Sequence, residues 1–441
     1  MKVPASSAWL LPVSALLLAG MAVPRADDLA PPSPTPAAAP GAPEAPAAEA
    51  AAAAPSAAAP TPASPGPAAP GPAAPPAPAP RLGEARLDPT LGRYVAPLGE
   101  GRAVLTLDPR LQAHLERTLA TYAVPWGVTV LLEPSTGRVL ALAEHSQAEP
   151  GRKGLSFTAF APAASVFKIV TAAALLEQGI PPGEEICFHG GNRRLQPKLL
   201  SDDPRRDRSC LSLSSALGHS ANVVFAKLAE RGLDPAVLRG AADRFLFNSE
   251  IPFARKVDVS PAEVPEDDPF QLANTAAGFG PVRLSPLHGA LLASIVANGG
   301  VFVPPALVEE AEGVAAPALP APVRVVDEGV AAALADMMRS TCTEGTARRV
   351  FRHAGGALRG VAVAGKTGSL TEPRPYRDHT WFVGYAPADH PEVAVATLIV
   401  NGRLWRVRAP TVARDALEAY FSNRVAAALP EGHRTAKAPA P

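Results

Sequence analysis

Ser165 and Lys168 stand three residues apart in Ser165-Val166-Phe167-Lys168, the spacing that puts two side chains on one face of a helix. A serine hydroxyl is a poor nucleophile at neutral pH and needs a base within hydrogen-bond reach. A lysine can be that base only if burial or a neighbouring cation lowers its pKa. Ala163, Ala164, Val166, Phe167 and Ile169 provide an apolar surround, and a position in the first helical turn would expose the Ser165 hydroxyl to the positive helix end. The pair therefore reads as nucleophile and base for acyl transfer. The plainer reading is an amphipathic helix with a surface lysine.

Two later clusters carry matching chemistry. In Ser220-Ala221-Asn222, residues two apart point the same way only on a strand or in a tight turn, which predicts a turn between two helices. There Ser220 could relay a proton to a leaving amine and Asn222 could hold a substrate amide. In Lys366-Thr367-Gly368-Ser369, Lys366 would add positive charge near Lys168 and a substrate carboxylate. Thr367 would hydrogen-bond that carboxylate, and Gly368 would let substrate backbone approach. The backbone N–H groups of Ser165 and Ser369 could together form an oxyanion hole. Taken singly, each cluster has a bland alternative: a chance Ser-x-Asn, or a strand end that carries a lysine.

The elements that must position these groups follow from local signals. Ala103–Leu107 reads as the first strand, and Asp108-Pro109 opens a helix through Leu111, Leu115 and Leu119. Val128–Leu132 and Val139–Leu142 form a hairpin around Pro134-Ser135-Thr136-Gly137. Helices are expected from Ser165 through Leu176, Leu213 to Leu217, Val223 to Glu230, Ser285-Pro286 to Asn298, and Asp327 to Thr341. Strands return at Val361–Ala364, Thr380–Tyr385 and Val393–Val400, and a last helix covers Val412 to Tyr420. The fold class is thus α/β (α+β): an antiparallel sheet flanked by helices, with an inserted all-helical lobe.

Composition divides the 441-residue chain. Residues 1–28 read as a signal peptide or membrane anchor: Lys2 is the positive start, Trp9 to Val23 is apolar apart from Ser14, and Gly20-Met21-Ala22 offers small residues for cleavage. Anchoring would run through residues 8–24. Residues 29–85 form a linker dominated by Ala and Pro, in which the chain's prolines are concentrated and which has too little large apolar surface for a core. In polyproline geometry fifty such residues would reach ~150 Å. Residues 86–428 look globular and 429–441 read as a disordered tail. The formal net charge is zero and no long basic run is present, so a nucleic-acid role has no support. No cysteine–histidine spacing resembles a metal site, and no cofactor motif is present. Cys187 and Cys210 flank a polar, charged loop and could pair in an oxidising compartment, whereas Cys342 sits in a helical pattern. The run Asp202-Asp203-Pro204-Arg205-Arg206-Asp207 in that loop reads as a solvated surface.

Taken in order, the three motifs resemble the penicillin-binding transpeptidase family. The resemblance extends over residues 103 to 422. Leu105–Gln112 is similar to the family's opening segment. Ala277-Gly278-Phe279-Gly280, Leu284-Ser285-Pro286-Leu287 and Ala297-Asn298-Gly299-Gly300 are similar to its stretch between the second and third motifs. Trp381–Pro387 is similar to the strand beside the third. The resemblance implies a β-lactamase/transpeptidase-like fold and a Ser165 acyl-enzyme formed on the D-Ala–D-Ala bond of peptidoglycan stem peptides. It also implies D-Ala release, transfer to another stem's amine, covalent inhibition by β-lactam antibiotics, and a periplasmic or cell-envelope location. Neither an upstream glycosyltransferase domain nor a folded pedestal is evident, and Ser369 stands where Thr is commoner. The alternatives are a D,D-carboxypeptidase, an oxacillinase-like (class D) β-lactamase, and a non-catalytic β-lactam sensor or scaffold. The lactamase reading is weakened by Ser220-Ala221-Asn222 in place of Ser-x-Val and by the lack of a Glu-x-x-Leu-Asn segment.

Overall fold

The computed structural model describes residues 82–428 except 192, 193 and 353, and the side chains as far as 424. The expected export signal, most of the linker and the tail from 429 lie outside the described residues. Leu82, within the segment assigned to the linker, bridges to Leu98 and is buried.

The centre is one antiparallel five-stranded sheet. Its strands are β1 (Trp126–Leu132), β2 (Val139–His145), β3 (Ala364–Pro373), β4 (Tyr376–Ala386) and β5 (Val393–Asn401), in the spatial order β3-β4-β5-β1-β2. The period-two alternation of a strand sends its side chains to two separate cores. Val128, Val130, Leu132, Ala394, Ala396, Leu398 and Val400 join one core, while Leu131, Val393, Val395 and Ile399 join the other. The hairpin expected around Pro134–Gly137 is present as β1–β2, in the register Val130↔Leu142.

Helix starts follow a repeated Asp/Ser-Pro signal, in which the cap side chain accepts from first-turn N–H groups and proline fills a position whose N–H has no partner. Asp108 caps α1 (Pro109–Tyr122), accepting from Arg110 N and Leu111 N. Between the two halves of the sheet lie α2 (Lys168–Glu177), α3 (Leu213–His219), α4 (Asn222–Gly232), α5 (Pro235–Arg244) and α6 (Pro269–Ala276), which make up the inserted helical lobe. Asp234 and Asp268 cap α5 and α6 in the same way, and Ser285 caps α7 (Pro286–Ala297). Helix α7 is apolar on all sides and buried along nearly its whole length, as a helix must be when it separates a sheet from a helical lobe. Next come α8 (Glu328–Thr343), the short α9 (Arg348–Phe351) and α10 (Ala409–Ala428). Leu111 and Leu115 of α1 pack with Val412 and Leu417 of α10 in the second core, on the opposite sheet face from α7.

Three expectations differ in detail. The strand expected at Val361–Ala364 runs instead from Ala364 to Pro373, so the Lys366–Ser369 motif lies inside an edge strand rather than after one. The first strand is not the one near Ala103. Arg86–Asp88 and Arg93–Leu98 precede it and, with Gly101–Leu105 and Val308–Glu312, form a separate four-stranded sheet. The helix expected from Ser165 begins as a 3₁₀ turn, Ala164–Phe167, and becomes α-helical at Lys168.

Candidate active site

The segment before Ser165 is fastened on two sides. Ala161 and Pro162 pair with Leu284 and Arg283, Ala163 N donates to Val282 O at 2.9 Å, and the Trp381 indole N–H donates to Pro162 O at 2.9 Å. These bonds hold Ala164 in the left-handed region at φ 49°, unusual for a residue with a Cβ. Gly278 makes this possible. It sits at φ 86°, and a Cβ there would come within 2.5 Å of Ala164 O and 3.0 Å of Ser165 N. The result is a tight turn that presents Ser165, partly exposed, ahead of a buried α2.

Lys168, the first residue of α2, is fully buried. Its Nζ lies 2.8 Å from Ser165 Oγ, 2.7 Å from Asn222 Oδ1 and 2.5 Å from Ala277 O. An amide oxygen and a carbonyl oxygen can only accept. A neutral amine has two N–H bonds, and these two acceptors take both. In that neutral form its lone pair would face the Ser165 hydroxyl, which could then donate to it, whereas the ammonium donates to Ser165 Oγ. Burial, reinforced by the positive charge of Lys366, holds the Lys168 pKa well below that of an ordinary lysine. Burial and three close contacts thus fix the amine in place beside Ser165.

The second motif forms the expected turn. Ser220 ends α3 in the left-handed region at φ 56°, Ala221 is extended, and Asn222 opens α4. Asn222, read from sequence as a substrate ligand, directs its side-chain oxygen at Lys168. Lys366 points from β3 to the other half of this turn: its Nζ donates to Ser220 Oγ at 2.9 Å and to Thr367 O at 2.8 Å. Burial lowers the Lys366 pKa to about 7. Gly368 lets β3 lie against the nucleophile turn, because a Cβ there would meet Val166 Cγ2 at 3.1 Å and Ala163 O at 3.3 Å. Ser369 is exposed one residue further along this edge. Ser165, Lys168, Ser220, Asn222, Lys366, Thr367, Gly368 and Ser369 therefore converge at the junction of β3 with the helical lobe. Cys187 and Cys210 lie directly opposite each other on paired short strands and are joined as a disulfide.

One residue at this junction escaped the sequence reading. Thr346, on the turn after α8, places its hydroxyl 2.6 Å from that of Thr367, and its N–H donates to Gly218 O at 3.0 Å. The only signal was Gly345 beside it, where a Cβ would sit 2.0 Å from Gly218 O. A cavity of about 540 Å³ between the N-terminal strands and β2 contains none of the motif residues.

A serine hydroxyl against a buried lysine amine, with a second buried lysine on an edge strand, is the arrangement that a serine acyltransferase of the lysine-dependent class requires. The chain belongs to the family described as the penicillin binding protein transpeptidase domain, which matches residues 127–418. It is similar to peptidoglycan D,D-transpeptidase PbpA of Mycobacterium tuberculosis, with 30% identity over 346 residues, covering 68% of each chain. Among solved structures it resembles PBPA from Mycobacterium tuberculosis, with a TM-score of 0.59 and 28% identity, covering 74% of this chain and 81% of that one. The imipenem acyl-enzyme complex of penicillin-binding protein A from M. tuberculosis matches equally, with a TM-score of 0.59 and 28% identity, over 74% of this chain and 80% of that one.

Proposed function

We propose that the chain is a peptidoglycan D,D-transpeptidase that works through a Ser165 acyl-enzyme and is inactivated by β-lactams. The observation that carries this is the Lys168 amine, 2.8 Å from Ser165 Oγ and held by two oxygens, Asn222 Oδ1 and Ala277 O, that can only accept. The names and acyl-enzyme complexes of the relatives support it.

Ser165 Oγ attacks the carbonyl carbon of the D-Ala–D-Ala bond, and its proton passes to Lys168 Nζ. The oxyanion is received by the N–H groups of Ser165 and Ser369. The terminal carboxylate lies toward Thr367 and the Lys366 ammonium. Collapse breaks the C–N bond. The departing D-Ala amine takes a proton through Ser220, which hydrogen-bonds to Lys366. An acceptor amine then attacks the ester, gives its proton back through the same groups, and frees Ser165.

The Cys187–Cys210 disulfide and the apolar segment after Lys2 support a location in the cell envelope, outside the cytoplasm. Membrane tethering through residues 8–24 and the domain boundaries given above are part of the same reading.

The test is incubation with a D-Ala–D-Ala-ended stem pentapeptide, with and without an added D-amino-acid acceptor. Exchange of the terminal residue, lost in Ser165→Ala, is expected. Release of D-Ala with no exchange at any acceptor concentration would make the protein a carboxypeptidase.

A further inference from the structure

Helix α4 begins at Asn222, which holds Lys168, and five residues later carries a third buried lysine. Lys227 has no exposed side-chain surface. Its ammonium donates to Asp207 Oδ2 at 2.7 Å, Cys187 O at 2.9 Å and Asp202 Oδ1 at 3.0 Å. All three acceptors belong to the loop closed by the Cys187–Cys210 disulfide. The side chain of Asp207, read from sequence as part of a solvated surface, is only 4% exposed. Burial opposes its charge, but the Asp203 N–H, Lys227 and His189 together hold its carboxyl well below the usual range. His189 Nδ1 meets the other Asp207 oxygen, and Arg231 of α4 donates to both oxygens of Asp202 at 2.7 and 2.8 Å.

The loop then reaches the catalytic end of α4. Gly191 lies at φ 76°, and a Cβ on it would come within 2.7 Å of Val223 Cβ, on the residue that follows Asn222. The loop is therefore pinned at one end by the Lys227 ammonium and rests at the other against the first turn of α4. The groups facing the Lys168 amine are Ser165 Oγ, Asn222 Oδ1, Ala277 O and the Phe225 ring, with Lys366 as the charge acting on it. Asn222 and Phe225 both come from α4.

We propose that Lys227 is a positioning residue for acylation: by clamping the disulfide loop onto α4 it holds Asn222 against Lys168. This deepens the acyl-enzyme reading and rests on it. A buried ion pair adds little net stability compared with apolar packing and serves better to fix one arrangement. Here the arrangement it fixes includes an acceptor of the catalytic amine. With Asn222 displaced, Lys168 loses an acceptor that favours its ammonium form and gives up its proton at lower pH.

The test is the second-order rate of labelling by a fluorescent penicillin across pH, on the full chain, for Lys227→Met, Lys227→Arg and Gly191→Ala, with thermal midpoints measured alongside. Gly191→Ala disturbs the contact at Val223 without touching the ion pairs, so it reports even if Lys227→Met unfolds. Lys227→Met and Gly191→Ala are expected to lower the plateau rate by about tenfold or more and to move the acid limb to lower pH by roughly half a unit. Lys227→Arg should recover part of both. A wild-type acid limb and plateau rate in folded Lys227→Met, or in Gly191→Ala where Lys227→Met unfolds, would overturn the proposal. Absence of label from the wild-type protein would instead strike at the acyl-enzyme reading itself.

Discussion

Lys366 Nζ reaches Ser220 Oγ at 2.9 Å across 146 residues of chain, and both groups are placed by backbone that leaves them little choice. Ser220 sits in a left-handed turn, and Lys366 lies on a strand paired through its whole length to β4. The bond joins the sheet to the helical lobe at the point where Ser165 emerges. It also brings a second cation close enough to act on Lys168.

Replacing Lys366 by Met should therefore move two quantities. Without the neighbouring cation, Lys168 keeps its proton to higher pH, so the acid limb of acylation shifts upward. Ser220 loses its hydrogen-bond donor, and the plateau rate should fall by roughly 10²-fold. Stopped-flow acylation by a chromogenic β-lactam over pH reads both. A limb that moves downward would contradict the assignment of the cations.

The wild-type profile should be bell-shaped. Lys168 must be neutral to accept the Ser165 proton, so activity appears as pH rises through its depressed pKa. Lys366 must be charged to bind a carboxylate, so activity declines above about 7, where burial has placed its pKa. In kcat the alkaline limb should lie at higher pH than in kcat/KM, because a bound carboxylate favours the ammonium. Coincident alkaline limbs would show that Lys366 does not face the substrate's carboxylate.

Thr346→Val keeps the side-chain shape and removes the hydroxyl that lies 2.6 Å from Thr367. KM for a stem peptide should rise roughly fivefold with kcat nearly unchanged, as expected for loss of one neutral hydrogen bond in binding. A fall confined to kcat would place the hydroxyl in the proton path instead.

The convergence of the three motifs was legible in the sequence because they bring their own backbone requirements. Asp108-Pro109 and Ser285-Pro286 announce helix starts through cap chemistry, and Pro134–Gly137 announces a hairpin through its turn residues. What stayed hidden depends on distant partners. The 3₁₀ start at Ser165 follows from the left-handed Ala164, which is possible only because Gly278 passes beside it more than a hundred residues later. Lys227 has the pattern of a surface lysine on an amphipathic helix, and only the returning disulfide loop buries it. Thr346 lies on a turn with no periodicity. The boundary of β3 was misplaced because Lys366-Thr367-Gly368-Ser369 has poor strand propensity, and its pairing with β4 overrides that preference.

Gly278→Ala asks a Cβ to occupy space 2.5 Å from Ala164 O at φ 86°. The substitution should cost about 2–3 kcal/mol of stability and depress acylation more than the loss of folded protein explains. Denaturant titration beside active-site labelling separates the two effects.

Opening the Cys187–Cys210 bridge with paired Ala substitutions should cost about 3 kcal/mol through the entropy of the released loop. Urea titrations under oxidising conditions check this. An unchanged midpoint would mean that the loop is held by its ion pairs alone.

The most direct measurement is intact-mass spectrometry after mixing with benzylpenicillin, followed over hours and mapped by peptide digestion. One penicilloyl group per chain is predicted, carried by the peptide that contains Ser165, persistent, and missing in Ser165→Ala. Label on another residue, or a label that disappears within seconds while penicillin is consumed, would contradict it.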